Sequence, residues 1–417
     1  MNTPAGHWSR GGRAFFESLE FPHWALLVYP AFMALVARRR EADDVFSVDP
    51  SAMMQIGFVA LLAIGSLFRV ILRGPRPARI LFAPPVLWLT AYCLLAAVSA
   101  AWSSRPDFTL YRAGEMLVFL WLAADAVGSA RGDRELVHFQ LLYGLVLAVF
   151  WHFADLRYGW SLAILHNSLV TGANIGVLFL FAGLKEPSWG WRAVFGLLAL
   201  SLLLGTSSAS YISLLVGIAV VLLFHTGAQR TAGALIASAA GLLVWGYGLD
   251  YGSVLWWGKT EYAVTSASGR IPVWTWLLDA VISQRPILGY GFGVGENIAR
   301  LAVDWTGLRM QHTHNVALSA LVNLGAVGLA LFAALASHAA GRLRNIRRYP
   351  AHPYAAAALA AVVVNALSTS SITAPVSLSW ISHALVFLFL ARVTGRREPV
   401  TRPAFQPRLV SRTMTAA

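Results

Sequence analysis

Apolar residues run along this chain in long blocks, separated by short polar stretches in which arginine is the usual charge. A helix needs about 17–25 mainly apolar residues to cross a bilayer. Counting apolar stretches of roughly that length gives twelve candidates: 22–37, 52–72, 80–101, 113–128, 136–155, 168–184, 191–206, 208–225, 231–249, 314–340, 354–370 and 375–392. Apolar runs of this length suit spanning helices, since a chain in lipid must satisfy its backbone groups internally. The expectation is an all-α, polytopic membrane protein of about twelve transmembrane helices, with residues 1–417 as a single integral membrane domain. The longest interruption, Asp250 to Thr313, is a long loop between the ninth and tenth spans.

Composition supports the same class. The chain is 57% hydrophobic and 12% charged, whereas a soluble domain carries about 25% charged residues. The formal charge of +13 would suggest nucleic acid in a soluble protein, but its arginines sit in short runs between apolar blocks. That is how topology is encoded, and contact with lipid headgroups accounts for the rest, so no nucleic-acid partner is expected. The single cysteine, Cys93, lies within an apolar stretch and excludes a disulfide inside one chain. Met1–Glu20 lacks an early apolar core and a small-residue cleavage site, so no removable signal is expected and the first span serves as insertion signal.

Arginine counts set the orientation. An even number of spans places both ends on one side. The basic tail, residues 393–417, carries Arg396, Arg397, Arg402, Arg408 and Arg412 and marks that side as cytoplasmic. Arg342, Arg344, Arg347 and Arg348 agree, as do Arg73, Arg76 and Arg79; Arg38–Arg40 conflict and are outvoted. The chain is then expected in a bacterial inner membrane, with residues 250–313 as a periplasmic cap. Five of its sixteen tryptophans fall in that cap, and Ile271–Ser283 mixes apolar and polar positions as a helix along the bilayer surface would.

Few ionisable groups fall within the spans: Arg69, Glu115, Asp125, His152 and His383 are the main ones. The dense set lies in the cap and its edge, including Arg270, Arg285, Arg300, Arg309, His312 and His314. This distribution favours chemistry at the periplasmic face over a path through the membrane. His314 stands at the expected start of the tenth span. At 100° per residue, Gly325 returns to within roughly 20° of it. Glycines there would let a neighbouring helix approach and would aim the histidine over the bundle. A neutral imidazole can take a proton from a hydroxyl, and a helix N-terminus favours a nearby pyrophosphate. Arg270 and Arg285 flank the surface helix, and guanidinium binds phosphate oxygens bidentately. His312 and His314 are two apart with no carboxylate-rich motif beside them, so no metal and no cofactor is expected.

At these residues the chain resembles the superfamily of O-antigen ligases and the related O-antigen and exopolysaccharide polymerases. The likeness rests on His314-Asn315, nine residues, then Gly325-Ala-Val-Gly328. Upstream, Ser268-Gly269-Arg270…Trp274 and Arg285-Pro-Ile-Leu-Gly-Tyr-Gly-Phe-Gly293 resemble the stretch before that histidine. A further segment, Trp102-Ser-Ser-Arg-Pro106 with Leu110-Tyr-Arg112, is similar to one that follows the third span. The resemblance implies glycan transfer from an undecaprenyl-pyrophosphate carrier to a glycan or lipid A-core acceptor hydroxyl, without metal or nucleotide sugar. It makes His314 the base and Arg270 the pyrophosphate ligand. Arg285, His312 and Asn315 are the accompanying substrate-binding candidates.

One departure stands out. Many ligases carry a Ser-Arg pair at the start of a central span, where this chain reads Gly205-Thr-Ser-Ser-Ala-Ser-Tyr211. Arg300 and Arg309 are the candidates to supply that charge. The serine-rich version is more like the polymerases, and both polymerase and ligase stay open. Two other classes compete: a flippase or transporter of lipid-linked glycans, which needs polar groups along a central path, and a structural partner in envelope-glycan assembly.

Overall fold

The computed structural model describes residues 15–36, 46–75, 77–158, 208–223, 270–295, 297–298, 313–345, 352–367, 369 and 372–395, with isolated positions between 190 and 198. Among them every regular element is helical. The longer helices are α1 Phe21–Val36, α2 Pro50–Arg73, α3 Val86–Val98, α4 Pro106–Ser129, α5 Asp133–Tyr158, α6 Ser208–Leu223, α7 Arg270–Gln284, α8 Val316–Asn345, α9 His352–Ala366 and α10 Leu378–Gly395. Two of them, α2 and α8 as far as Arg342, are long and apolar enough to cross a membrane. The expected spans 168–184, 191–206 and 231–249 lie almost entirely outside the described residues.

Local chemistry sets the helix ends. Asp49 caps α2 by accepting the Ala52 N–H at 2.7 Å, and Pro50 occupies the first turn, where its missing N–H is no loss. Gly74 closes the other end with φ 77°. Pro106 starts α4 in the same way. The sequence places this span at 113–128, because Tyr111 and Arg112 interrupt the apolar pattern. The helix begins seven residues earlier and carries both inward.

α4 is the centre of the bundle. It packs against α1, α2, α3 and α10 and buries Ala113, Met116, Phe119, Leu120, Leu122, Ala123, Ala124, Ala126 and Val127. α10 is buried on nearly all sides from Trp380 to Ala391. A helix apolar all round belongs in the interior of a large assembly of helices. α2 is the opposite case, with Leu61, Ile64, Leu67, Phe68, Ile71 and Leu72 all exposed. That apolar outer face suits lipid, which is as apolar as leucine itself.

Two polar clusters interrupt this interior. At one end of α4, Asp125 and Glu20 both receive hydrogen bonds from Arg69, and Glu20 also accepts from Arg73 at 2.7 Å. At the other end, Arg112 donates to Glu115 at 3.0 Å. Asp125 and Arg112 are 13 residues apart, so about 20 Å of helix separates the clusters.

Candidate functional site

α8 is not one helix. Gly325 breaks it with φ 63° and ψ −159°, backbone angles that a side chain disfavours. A break leaves carbonyls orphaned on one side and N–H groups on the other. The loop after α7 takes up both. Pro286 O accepts from Ala326 N at 2.9 Å and Ile287 O from Val327 N at 3.3 Å. On the other side, Tyr290 N donates to Val322 O and Gly291 N to Asn323 O, each at 3.0 Å. The loop thus repairs the ladder that the glycine interrupts.

The glycines make this contact possible. A Cβ on Gly325 would stand 2.2 Å from the backbone of Ile287, and one on Gly289 would stand 2.6 Å from Gly325 N. The expectation from helical spacing was that Gly325 and Gly328 admit a neighbouring helix along a stripe below His314. The structure corrects it: the close partner of Gly325 is the turn after α7, and the break ends the 100° periodicity on which the stripe depends. A Cβ on Gly328 would meet Leu324 and Ala320 of its own helix.

Asn323 ties the junction together. It is fully buried; its Oδ1 accepts from Gly293 N at 3.1 Å, and its Nδ2 reaches Ser319 Oγ at 3.3 Å and Thr373 O at 3.4 Å. The segment before α4 closes the loop from the far side. Trp102 Nε1 donates to Leu288 O at 3.0 Å, Phe292 N to Ser99 Oγ at 3.0 Å, and Thr109 Oγ1 to Phe292 O at 3.0 Å. Three stretches distant in sequence, 99–112, 285–293 and 313–328, therefore meet at one place.

His314 sits just above this junction, outside the helix that was expected to begin with it. Its φ is 50°, a left-handed conformation uncommon for a residue with a side chain. Neighbours on both sides hold it there. Asn315 caps α8, its Oδ1 accepting from Leu318 N at 3.0 Å. Thr313 is buried and donates through Oγ1 to Asn315 O at 3.2 Å. Strain of this kind costs about 1–3 kcal/mol and persists where surrounding structure enforces it. Asn315 was expected to bind substrate; here its amide oxygen is engaged in the cap.

Arg270 opens α7, whose Val273, Leu277 and Val281 pack against Leu318 and Val322 of α8. Trp274, one turn after Arg270, donates from Nε1 to Thr313 O at 2.7 Å. The arginine helix and the residue preceding His314 are thereby joined directly. Tryptophan at this position does more than anchor in headgroups. Arg270 is partly buried, and burial alone lowers its pKa from the usual arginine value. Among the described residues no carboxylate pairs with it. A cation at a helix N-terminus opposes the local dipole, an arrangement that an anion relieves. Arg285 is exposed at the other end of α7. Arg300, Arg309 and His312 lie outside the described residues, as does Gly205–Ser207.

Sequence reasoning missed Asn323 and Thr373 as parts of this region, and gave Arg112 only as part of a segment of resemblance. Asn323 carried a signal, being an amide between Val322 and Leu324 in an otherwise apolar span, where a polar residue needs partners. Thr373 gave none, since its hydroxyl bond to Val316 O at 2.8 Å crosses 57 residues.

With α7, the loop, the His314 cap and the helix break in place, the class is that of a helical membrane protein. Residues 193–333, about a third of the chain, match the family model described as O-antigen ligase. The match takes in Arg270, Arg285, His314, Asn315, Gly325 and Gly328, and stops short of the 99–112 segment. No curated protein matches the chain.

Proposed function

We propose that this protein transfers glycan from undecaprenyl pyrophosphate to an acceptor hydroxyl at the periplasmic face of a bacterial inner membrane. The reaction belongs to surface polysaccharide synthesis, as polymerisation of repeat units or ligation to lipid A-core. His314 takes the proton from the attacking hydroxyl while the pyrophosphate leaves with its charge held by Arg270. The family match supports glycan transfer of this kind. The observation that carries the assignment of roles is the Trp274 Nε1 bond to Thr313 O. It fixes the arginine helix against a histidine that is itself held in a strained conformation, and positioning of this sort is what a transfer reaction uses.

In this reading twelve helices cross the membrane, residues 250–313 cap them on the periplasmic side, and the tail after 393 is cytoplasmic. Asn315 acts through His314, by capping α8. Arg285, Arg300, Arg309 and His312 contact the donor's phosphates or glycan at the rim, and the chemistry is metal-independent.

The direct test gives purified protein a lipid-linked repeat unit alone, or together with lipid A-core, and sizes the products. His314→Ala should lower transfer roughly 10²–10⁴-fold, as loss of a general base does, while the protein stays folded. Near-normal product from that variant would remove His314 from the reaction. Activity that vanishes with EDTA and returns with a divalent ion would contradict the metal-free chemistry. For the topology, Ser266→Cys in a Cys93→Ser background should react with an impermeant thiol reagent in spheroplasts; silence there would reverse the orientation.

A further inference from the structure

We propose that Arg112, on α4, is a second guanidinium ligand for the donor's pyrophosphate. The proposal rests on the transferase reading above and adds a group from outside residues 193–333. Arg112 lies against the loop that repairs α8. A Cβ on Gly293 would stand 3.6 Å from Arg112 Cγ and 3.6 Å from Pro375. Gly293 donates to Asn323 Oδ1, and Pro375 follows Thr373, which donates to Val316 O, two residues beyond His314. The arginine's stem thus lies beside Gly293 of the loop that repairs the break in α8.

Its bonding leaves it incomplete. Nη1 is given to Glu115 Oε2 at 3.0 Å, while Nε is buried with no hydrogen-bond partner. The side chain keeps 22% of its surface accessible, against 2% for Glu115. The rings of Phe108 and Tyr111 lie 5.3 Å and 5.2 Å from its Cζ, which compensates a dehydrated cation in part. Arg69 at the far end of α4 is different, for it meets two carboxylates, Glu20 and Asp125. Guanidinium offers five donors in a planar fork. One carboxylate engages part of that fork, and a phosphate is the chemistry that completes it. A pyrophosphate carries more charge than Arg270 alone balances, and the serine-rich stretch near Ser208 brings no arginine of its own.

The simpler alternative is a brace, in which the Arg112–Glu115 pair only stabilises α4 beneath the loop. Full-length protein in lipid nanodiscs separates the two, in a His314→Ala background so that nothing turns over. Binding of undecaprenyl pyrophosphate and of undecaprenol is measured together with thermal stability. Arg112→Gln strands Glu115 in a dry interior and lowers stability whichever role holds. The informative variant is therefore Arg112→Gln with Glu115→Gln, which removes both charges together and restores folding. We expect this double variant to bind undecaprenyl pyrophosphate about 10–100-fold more weakly, the effect of losing a charge-assisted contact, with undecaprenol binding unchanged. Affinity that returns with stability in the double variant would leave Arg112 a brace and overturn the proposal. Equal losses for both lipids would overturn it too, since the contact would then be to the chain and not the phosphate. Failure of the unsubstituted protein to bind the pyrophosphate lipid would sink the transferase reading as well, whereas a defect confined to the Arg112 assignment leaves that binding intact.

Discussion

The two ends of α4 hold the same kinds of residue in opposite conditions. At the Asp125 end, Arg69 is only 10% exposed and has carboxylates on two sides, with Arg73 adding to Glu20. The backbone nearby is regular helix. At the Arg112 end the cation has one carboxylate, Arg270 on α7 has none among the described residues, His314 is held at φ 50° and α8 is broken at Gly325. A dry interior penalises an uncompensated charge heavily, so a cluster that satisfies itself serves the fold. A cluster with less fully paired cations and strained backbone is one in which an arriving anion would find partners. The contrast is the strongest physical reason to place function at the Arg112 end.

Three changes would break or sharpen that contrast. The largest effect is expected from Gly325→Ala. The added Cβ meets the Ile287 backbone at 2.2 Å, and the positive φ adds strain, for a loss of about 3–5 kcal/mol in stability. Transfer should vanish with it, as followed by thermal melting in detergent and by product sizing. A fully active, equally stable Gly325→Ala protein would mean that the loop does not need its close approach.

Asp125→Asn comes next. It removes one partner of a buried cation, and breaking such a pair costs about 3 kcal/mol. Its consequence should be confined to stability, with transfer per folded molecule unchanged. If turnover fell while the melting temperature held, the self-paired end would have a functional role and the contrast would collapse.

Arg270→Lys and Arg285→Lys form the finest comparison. Lysine keeps the charge and loses the fork, so Arg270→Lys should cost about 10–100-fold in transfer at matched expression. Arg285 is exposed at the end of α7, where lysine keeps the charge of a rim contact; it should change stability by less than about 0.5 kcal/mol and cost less in transfer than Arg270→Lys. Full activity of Arg270→Lys would return that arginine to a headgroup contact.

How much of this was legible beforehand differs by element. Helices α1, α2, α5, α9 and α10 follow the apolar blocks to within a few residues, because length and hydrophobicity alone decide what lipid accepts. The start of α4 was misplaced since Tyr111 and Arg112 look polar in isolation, yet a glutamate one turn on and two aromatic rings let the arginine enter the bundle. For α8, the sequence shows a glycine in an apolar run, and a glycine in a helix is equally consistent with close packing. Only the loop's carbonyls and N–H groups, supplied from 32 to 40 residues upstream, make a break tolerable there.

The sequence by itself determined a helical, membrane-suited chain, a resemblance over part of its length, and the short set of residues able to take a proton or hold a phosphate. Those follow from side-chain chemistry and from the period and length of apolar runs, which are local properties. The tertiary structure decided which of these residues stand together. Trp274 joins Arg270's helix to Thr313, Asn323 gathers Gly293 and Thr373, and the loop after α7 fills the gap in α8. Each of these is a hydrogen bond between groups 30 or more residues apart, formed because buried backbone and amide groups must find partners wherever the packing brings them.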